Sequence, residues 1–147
     1  MTGLPYKKQT ATVEETELVG AELGKYLLLN NEKNAFIAMY ADLGAGKTAF
    51  VRGLASVLAP GANVCSPTYT VVNEYGGEDF RLCHFDMYRI ENDDDLYSIG
   101  FYDYADCVMA VEWSEKIPFA LPDEYIRLDI TKLGETERLI ELRRVSR

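Results

Sequence analysis

AFIAMYADLGAGKTAFVRGLASVLA, residues 35–59, decides the fold. Residues 35–41 form an apolar run without alternation, which a strand buried on both faces requires. Residues 48–59 read as a helix that stops at Pro60-Gly61. Between them, ADLGAGKT (41–48) fits the pattern G-x-x-x-x-G-K-[ST] at Gly46, Lys47 and Thr48, with Ala41 where the first glycine usually stands. In that strand–turn–helix context, Gly44 and Gly46 let the backbone close on an anion, and the helix presents its unpaired N–H groups to the same point. Lys47 supplies a positive charge for the β- and γ-phosphates of a nucleotide, and the Thr48 hydroxyl can ligate Mg²⁺. Alanine is tolerated at position 41 if that residue ends the strand with negative φ.

Working outward, residues 6–12 suggest a short strand. Thr12 and Glu15 form a capping box, and Val19, Leu23, Tyr26 and Leu27 recur on one face of a helix over about 13–29. A short strand is expected between the second helix and Ser66. Residues 69–75 and 80–86 read as a hairpin through Gly76-Gly77, residues 91–106 as one or two short helices, and 107–113 as another buried strand. Residues 124–131 and 137–145 alternate apolar with polar and form a terminal antiparallel hairpin with one solvated face. The expected class is α/β: a P-loop NTPase-like mixed sheet, with a parallel core and antiparallel hairpins, flanked by helices. A chain of 147 residues makes one domain spanning 1–147.

Charge is unevenly placed. Residues 1–73 carry six acids and six bases, and 116–147 carry six and seven. Residues 74–115 hold twelve acids against Arg81 and Arg89. That middle segment produces the net charge of −9. Such a surface disfavours direct grip on nucleic acid or anionic lipid and suits a basic protein partner. The triplet Asp93-Asp94-Asp95 fits a solvated helix N-terminus. Three cysteines without C-x-x-C spacing, and the single His84, read as free thiols and a hydrogen-bonded structural imidazole rather than a zinc site. No apolar stretch reaches the length of a membrane span and the N-terminus has no signal-peptide core, so a soluble cytoplasmic protein is expected.

Two further acids end strands. Asp86 closes HFD (84–86) and Glu112 closes VMAVE (108–112). If both strands run parallel to 35–41, their ends meet the phosphate loop at the sheet edge where open α/β sheets bind ligands. One carboxylate then holds metal and the other orients water. Ser66 and Thr68 in SPTYT (66–70) stand where a loop could sense a γ-phosphate, although S-P-T alone is only a turn signal. Tyr88 and Arg89 are placed to pin the turn after Asp86 or to face a partner.

The ordered set LGAGKT, RGL (52–54), SPTYTVVNEY (66–75), HFDMYR (84–89), GFYDY (100–104), EWSE (112–115) and LP (121–122) resembles the TsaE (YjeE) family over about residues 10–130. The resemblance implies an ATPase that binds ATP or ADP with Mg²⁺ and hydrolyses weakly by itself. It implies support of the TsaB–TsaD heterodimer in threonylcarbamoylation of adenosine 37 of tRNA, with tRNA met only indirectly. Carried over by position, Lys47, Asp86 and Glu112 are catalytic, and Thr48, Asp86 and Glu112 face the metal. The nucleotide is held by Thr16, Leu43, Gly44, Ala45, Gly46, Lys47, Thr48, Ala49, Thr68, Trp113 and Glu115. This sequence departs from the family pattern at Ala41 and at Ser114, where proline is usual. Two alternatives stand beside this reading. A small-molecule kinase lacks an arginine-rich lid, since residues 48–123 offer only Arg52, Arg81 and Arg89. A nucleotide-binding adaptor that never hydrolyses would not need Asp86 and Glu112.

Overall fold

The computed structural model describes residues 1–42, 44–77 and 79–147. In chain order the elements are β1 (Tyr6–Thr10), α1 (Val13–Leu29), β2 (Phe36–Ala41), α2 (Lys47–Leu58), β3 (Val72–Gly76), β4 (Arg81–Asp86), α3 (Asp93–Ser98), β5 (Val108–Glu112), β6 (Glu124–Lys132) and β7 (Arg138–Ser146). Short 3₁₀ turns lie at Phe101–Asp103, Ser114–Lys116 and Pro118–Ala120. One seven-stranded sheet runs β1-β7-β6-β2-β5-β4-β3. Its centre, β6-β2-β5-β4, is parallel, while β1-β7, β6-β7 and β3-β4 pair antiparallel. The mixed sheet and its hairpins therefore match the sequence expectation. A feature beyond it is the parallel pairing of β6 with β2, which joins the terminal hairpin to the core.

Strand alternation divides the core in two. Ile37, Met39, Leu82, Val108, Ala110, Ile126 and Leu128 face α1 and α2 with Leu23, Phe50 and Leu54. Ala38, Cys83, Phe85 and Val111 face α3 and the 3₁₀ turns with Leu96, Phe101 and Ile117. Burial of apolar side chains on both faces of the central strands explains their continuous apolar runs. On β6, Ile126, Leu128 and Ile130 point inward while Tyr125, Arg127 and Asp129 are only half-buried, as one solvated face requires.

Helix α1 starts where its cap dictates. The Thr12 hydroxyl accepts from Glu15 N (3.1 Å), and the Glu15 carboxylate accepts from Ala11 N (2.8 Å), a capping box closed one residue earlier than usual. Helices α1 and α2 cross so closely that a Cβ at Gly53 would lie 1.8 Å from Glu17 O, and Arg52 pairs with Glu17 beside that crossing. Only glycine fits there. This crossing fixes α2, and therefore the loop before it, against the rest of the fold.

One expected element does not form. Residues 62–67 are irregular. Side chains take the backbone groups that a strand would use: Tyr75 Oη accepts from Cys65 N (3.0 Å), and Asn73 Nδ2 donates to Cys65 O (3.1 Å). The acid triplet behaves as expected, with Asn92 capping α3 and Asp93, Asp94 and Asp95 in its first turn.

Candidate functional site

Strand β2 ends at Ala41, paired with Ile130 and absent from the described non-glycine residues with positive φ. The chain then turns through Gly44 (φ 72°) and Gly46 (φ 99°), both left-handed, as the glycine pattern requires. Leu43, expected in the nucleotide-binding set, lies outside the described residues. Gly46 is the N-cap of α2 and has no side chain to offer, so the helix opens without a side-chain cap. The first-turn N–H groups are left to an anion, which the helix dipole favours there.

Gly44, Ala45, Gly46, Lys47, Thr48, Ser66, Thr68 and Glu112 line a cleft of about 360 Å³. Lys47 Nζ lies 3.3 Å from Glu112 Oε1 and 5.2 Å from the centroid of the Trp113 ring. Glu112, at the end of β5, is 2% exposed. Its second oxygen lies 2.5 Å from His84 Nε2, on the adjoining strand β4. Both ring nitrogens and Glu112 Oε2 are buried, and none of them makes a hydrogen bond of good geometry among the described residues. Burial pushes the Glu112 carboxyl up, but His84 and then Lys47 outweigh it and hold the group below the ordinary carboxylate range. The sequence reading of His84 as a structural imidazole omitted this contact with a site carboxylate.

Asp86 stands in register with Glu112, and strand alternation puts both on the sheet face that carries α1 and α2. Asp86 nevertheless lines a different cavity, of about 200 Å³, with Thr68, Val71, Tyr88, Arg89, Asp95 and others. One of its oxygens accepts from Tyr88 N (2.9 Å). Thr68 lines both spaces and joins them. Its hydroxyl lies 2.7 Å from that of Ser66. Arg89 donates to Thr68 O (3.4 Å). The loop ends at Val71, whose φ of 71° is strained for a β-branched side chain. Trp113, at φ 59°, turns the chain sharply after Glu112. Glu115 lies exposed beyond that turn, is not among the lining residues of either space, and acts electrostatically on Tyr40 instead.

On the other flank of the loop, Thr12, Thr16, Gly44–Gly46, Ala49, Glu135, Thr136 and Arg138 line a third space of about 150 Å³. Thr16 is buried there, with its hydroxyl 3.0 Å from that of Thr10. Arg138, which sequence reasoning missed, donates to Ala45 O (3.0 Å) and Gly44 O (3.1 Å). Its guanidinium ties the loop to the β6–β7 hairpin. No local motif marks it, because it acts across 93 residues of sequence.

The donor set suits Mg²⁺, which takes one or two carboxylates, a hydroxyl and phosphate oxygens. Glu112 is held below the ordinary carboxylate range, and Thr48 stands in the first turn of α2 on the same cleft.

Residues 10–140 match the family described as "Threonylcarbamoyl adenosine biosynthesis protein TsaE". The tRNA threonylcarbamoyladenosine biosynthesis protein TsaE of Haemophilus influenzae is 39% identical over 126 residues, covering 84% of this chain and 79% of that protein. Its counterpart in Bacillus subtilis is 32% identical over 134 residues, covering 91% and 82%. The crystal structure of Bacillus subtilis YdiB superposes with a TM-score of 0.76 at 28% identity, covering 97% of this chain and 86% of the other.

Proposed function

The chain belongs to the TsaE family of tRNA threonylcarbamoyladenosine biosynthesis, and from that premise we propose that it is a Mg²⁺-dependent ATPase whose slow turnover is set by a protein partner. The observation that carries this reading is the uncapped N-terminus of α2 facing the Lys47–Glu112 pair. A polyphosphate satisfies the helix N–H groups and Lys47 together. As Lys47 is drawn toward phosphate, its hold on Glu112 loosens. The carboxylate, still ionised through His84, is then free to accept a hydrogen bond from the attacking water. The water oxygen bonds to the γ-phosphorus as the bond to ADP breaks, and the proton leaves with the phosphate.

Thr48 and Glu112 would hold Mg²⁺, with Asp86 contributing from the next strand. The ion supplies neutralisation of charge on the β- and γ-phosphates. Thr68 senses the γ-phosphate from the opposite wall of the cleft. The space lined by Thr12, Thr16, Ala49 and Arg138 receives the base and sugar. Trp113, stacked by Lys47, reports on the occupancy of the cleft. Glu115 has no part in this proposal.

The proposed partner is the TsaB–TsaD heterodimer, with tRNA met only through it, in keeping with the net charge of −9. The proposed location is the cytoplasm. Among the described residues no helix is long and apolar enough to cross a membrane. The test is ATP turnover by the purified chain with and without the TsaB–TsaD pair. Slow turnover raised by the pair is expected. Fast turnover that depends on a small acceptor instead would replace this reading with a kinase, and binding without turnover in either condition would replace it with an adaptor.

A further inference from the structure

We propose that His84 is a positioning residue for hydrolysis: its imidazole holds Glu112 Oε2, so that Oε1 faces the attacking water once Lys47 has moved to phosphate. The inference deepens the reading above and rests on its claim that Glu112 acts on that water. His84 lies on β4 in register with Ala110 of β5. Alternation puts Ala110 and Glu112 on one face of β5, and His84 on the same face of β4. Ala110 is small, so the imidazole reaches past it to the strand end. There Nε2 stands 2.5 Å from Glu112 Oε2, while Lys47 Nζ stands 3.3 Å from Oε1. Each carboxylate oxygen thus meets its own tether. One comes from the first turn of α2, which serves the phosphate loop, and the other from the sheet. Lys47 leaves for the polyphosphate, and His84 stays.

The burial of the imidazole carries the argument further. Position 84 is 0% exposed and belongs to the sheet face whose other residues, Leu82 and Ala110, join the apolar core under α1 and α2. An apolar side chain there would bury no polar atom. The imidazole buries two ring nitrogens, neither with a hydrogen bond of good geometry among the described residues, which is costly in such a layer. The acid within ion-pair distance of it is Glu112. A histidine that only packed the sheet would not need that neighbour. The off-line approach fits a contact that is completed when the cleft fills. Lys47 draws Oε1 toward α2 and turns the carboxylate away from the Nε2–H. With Lys47 on phosphate, the carboxylate settles onto His84, whose Nε2–H donates to Oε2. Catalytic hydrogen bonds are often poorly aligned in the empty site and tighten in the loaded one.

The experiment joins single-turnover hydrolysis to NMR of the imidazole in the full chain. His84→Phe keeps the ring shape without a donor, and His84→Gln keeps an N–H group near the place of Nε2. With Mg²⁺ and the TsaB–TsaD pair, His84→Phe should lower the hydrolysis rate about 10- to 100-fold, the usual worth of a residue that orients a site ligand. Its ATP affinity should stay within about threefold of wild type, because the loop and Lys47 are intact. His84→Gln should recover most of the rate. Adding His84→Phe to Glu112→Gln should slow hydrolysis no further, since the two residues act as one unit. If His84→Phe melts below the assay temperature, His84→Leu takes its place. The chain has one histidine, so the ring signals are those of His84. With Mg²⁺ and a non-hydrolysable ATP analogue bound, the ring should carry a proton on Nε2, and its signal should move in Glu112→Gln. A bare Nε2, or a signal indifferent to Glu112→Gln, would overturn the proposal. So would wild-type hydrolysis in His84→Phe, equal loss of affinity and hydrolysis, no recovery in His84→Gln, or additive losses in the double variant. A wild-type chain that binds ATP and never hydrolyses it would instead overturn the ATPase reading, and the ring signal would still report whether His84 holds Glu112.

Discussion

The nucleotide cleft and the cavity beside it share Thr68 and a pair of carboxylates in register, yet they treat charge in opposite ways. Glu112 is held between Lys47 and His84 and is kept ionised by them. Asp86, one strand away, accepts from the Tyr88 N–H and is in no ion pair among the described residues. The difference comes from what each strand end meets. Strand β5 ends opposite α2, whose first residue is Lys47. Strand β4 ends against an acid-rich stretch whose nearby arginine is committed to a loop carbonyl. On the proposed reading, a site with its counter-charge in place exchanges it for a polyphosphate.

Removing the cleft's cation should give the largest effect. Lys47→Ala should lower ATP affinity by about 100-fold, the loss of a charged contact worth about 3 kcal/mol. Calorimetric titration with ATP and Mg²⁺ measures this, and an unchanged affinity would erase the contrast between the two spaces. A smaller effect is expected on the far flank of the loop. Arg138→Ala frees Gly44 O and Ala45 O from their shared anchor. ATP affinity should fall about fivefold, about 1 kcal/mol in all, because the loop loses its anchor but keeps its contacts to the anion. A loss as large as that of Lys47→Ala would mean that Arg138 contacts the nucleotide charge directly rather than positioning the loop.

Much of this architecture was legible in residues 12–59 because each part there carries its own local signal. The apolar run marks a two-face-buried strand, the glycines mark left-handed turns, and Thr12 with Glu15 marks the start of α1 at Val13. What was not legible depends on contacts between distant residues. The parallel pairing of β6 with β2 has no local signature, and the arginine that anchors the loop sits in the last strand. The strand expected before Ser66 fails because Asn73 and Tyr75, eight and ten residues on, capture the backbone at Cys65. Glu115 stands three residues from Glu112 in sequence, but the left-handed turn at Trp113 separates their surroundings. His84 read as a core imidazole, and only the strand register reveals that it reaches Glu112.

The central claim is that Glu112 acts on the water that cleaves ATP, while the loop and Lys47 do the binding. The most direct measurement pairs ATP affinity with single-turnover hydrolysis for wild type and Glu112→Gln, in the presence of Mg²⁺ and the TsaB–TsaD pair. We expect affinity to fall by no more than about threefold, because Thr48 and Asp86 still face the metal and the loop and Lys47 still hold the phosphates, and hydrolysis to fall by about 100-fold or more, the usual worth of a positioned general base. Equal loss of affinity and hydrolysis, or hydrolysis at the wild-type rate, would contradict the account.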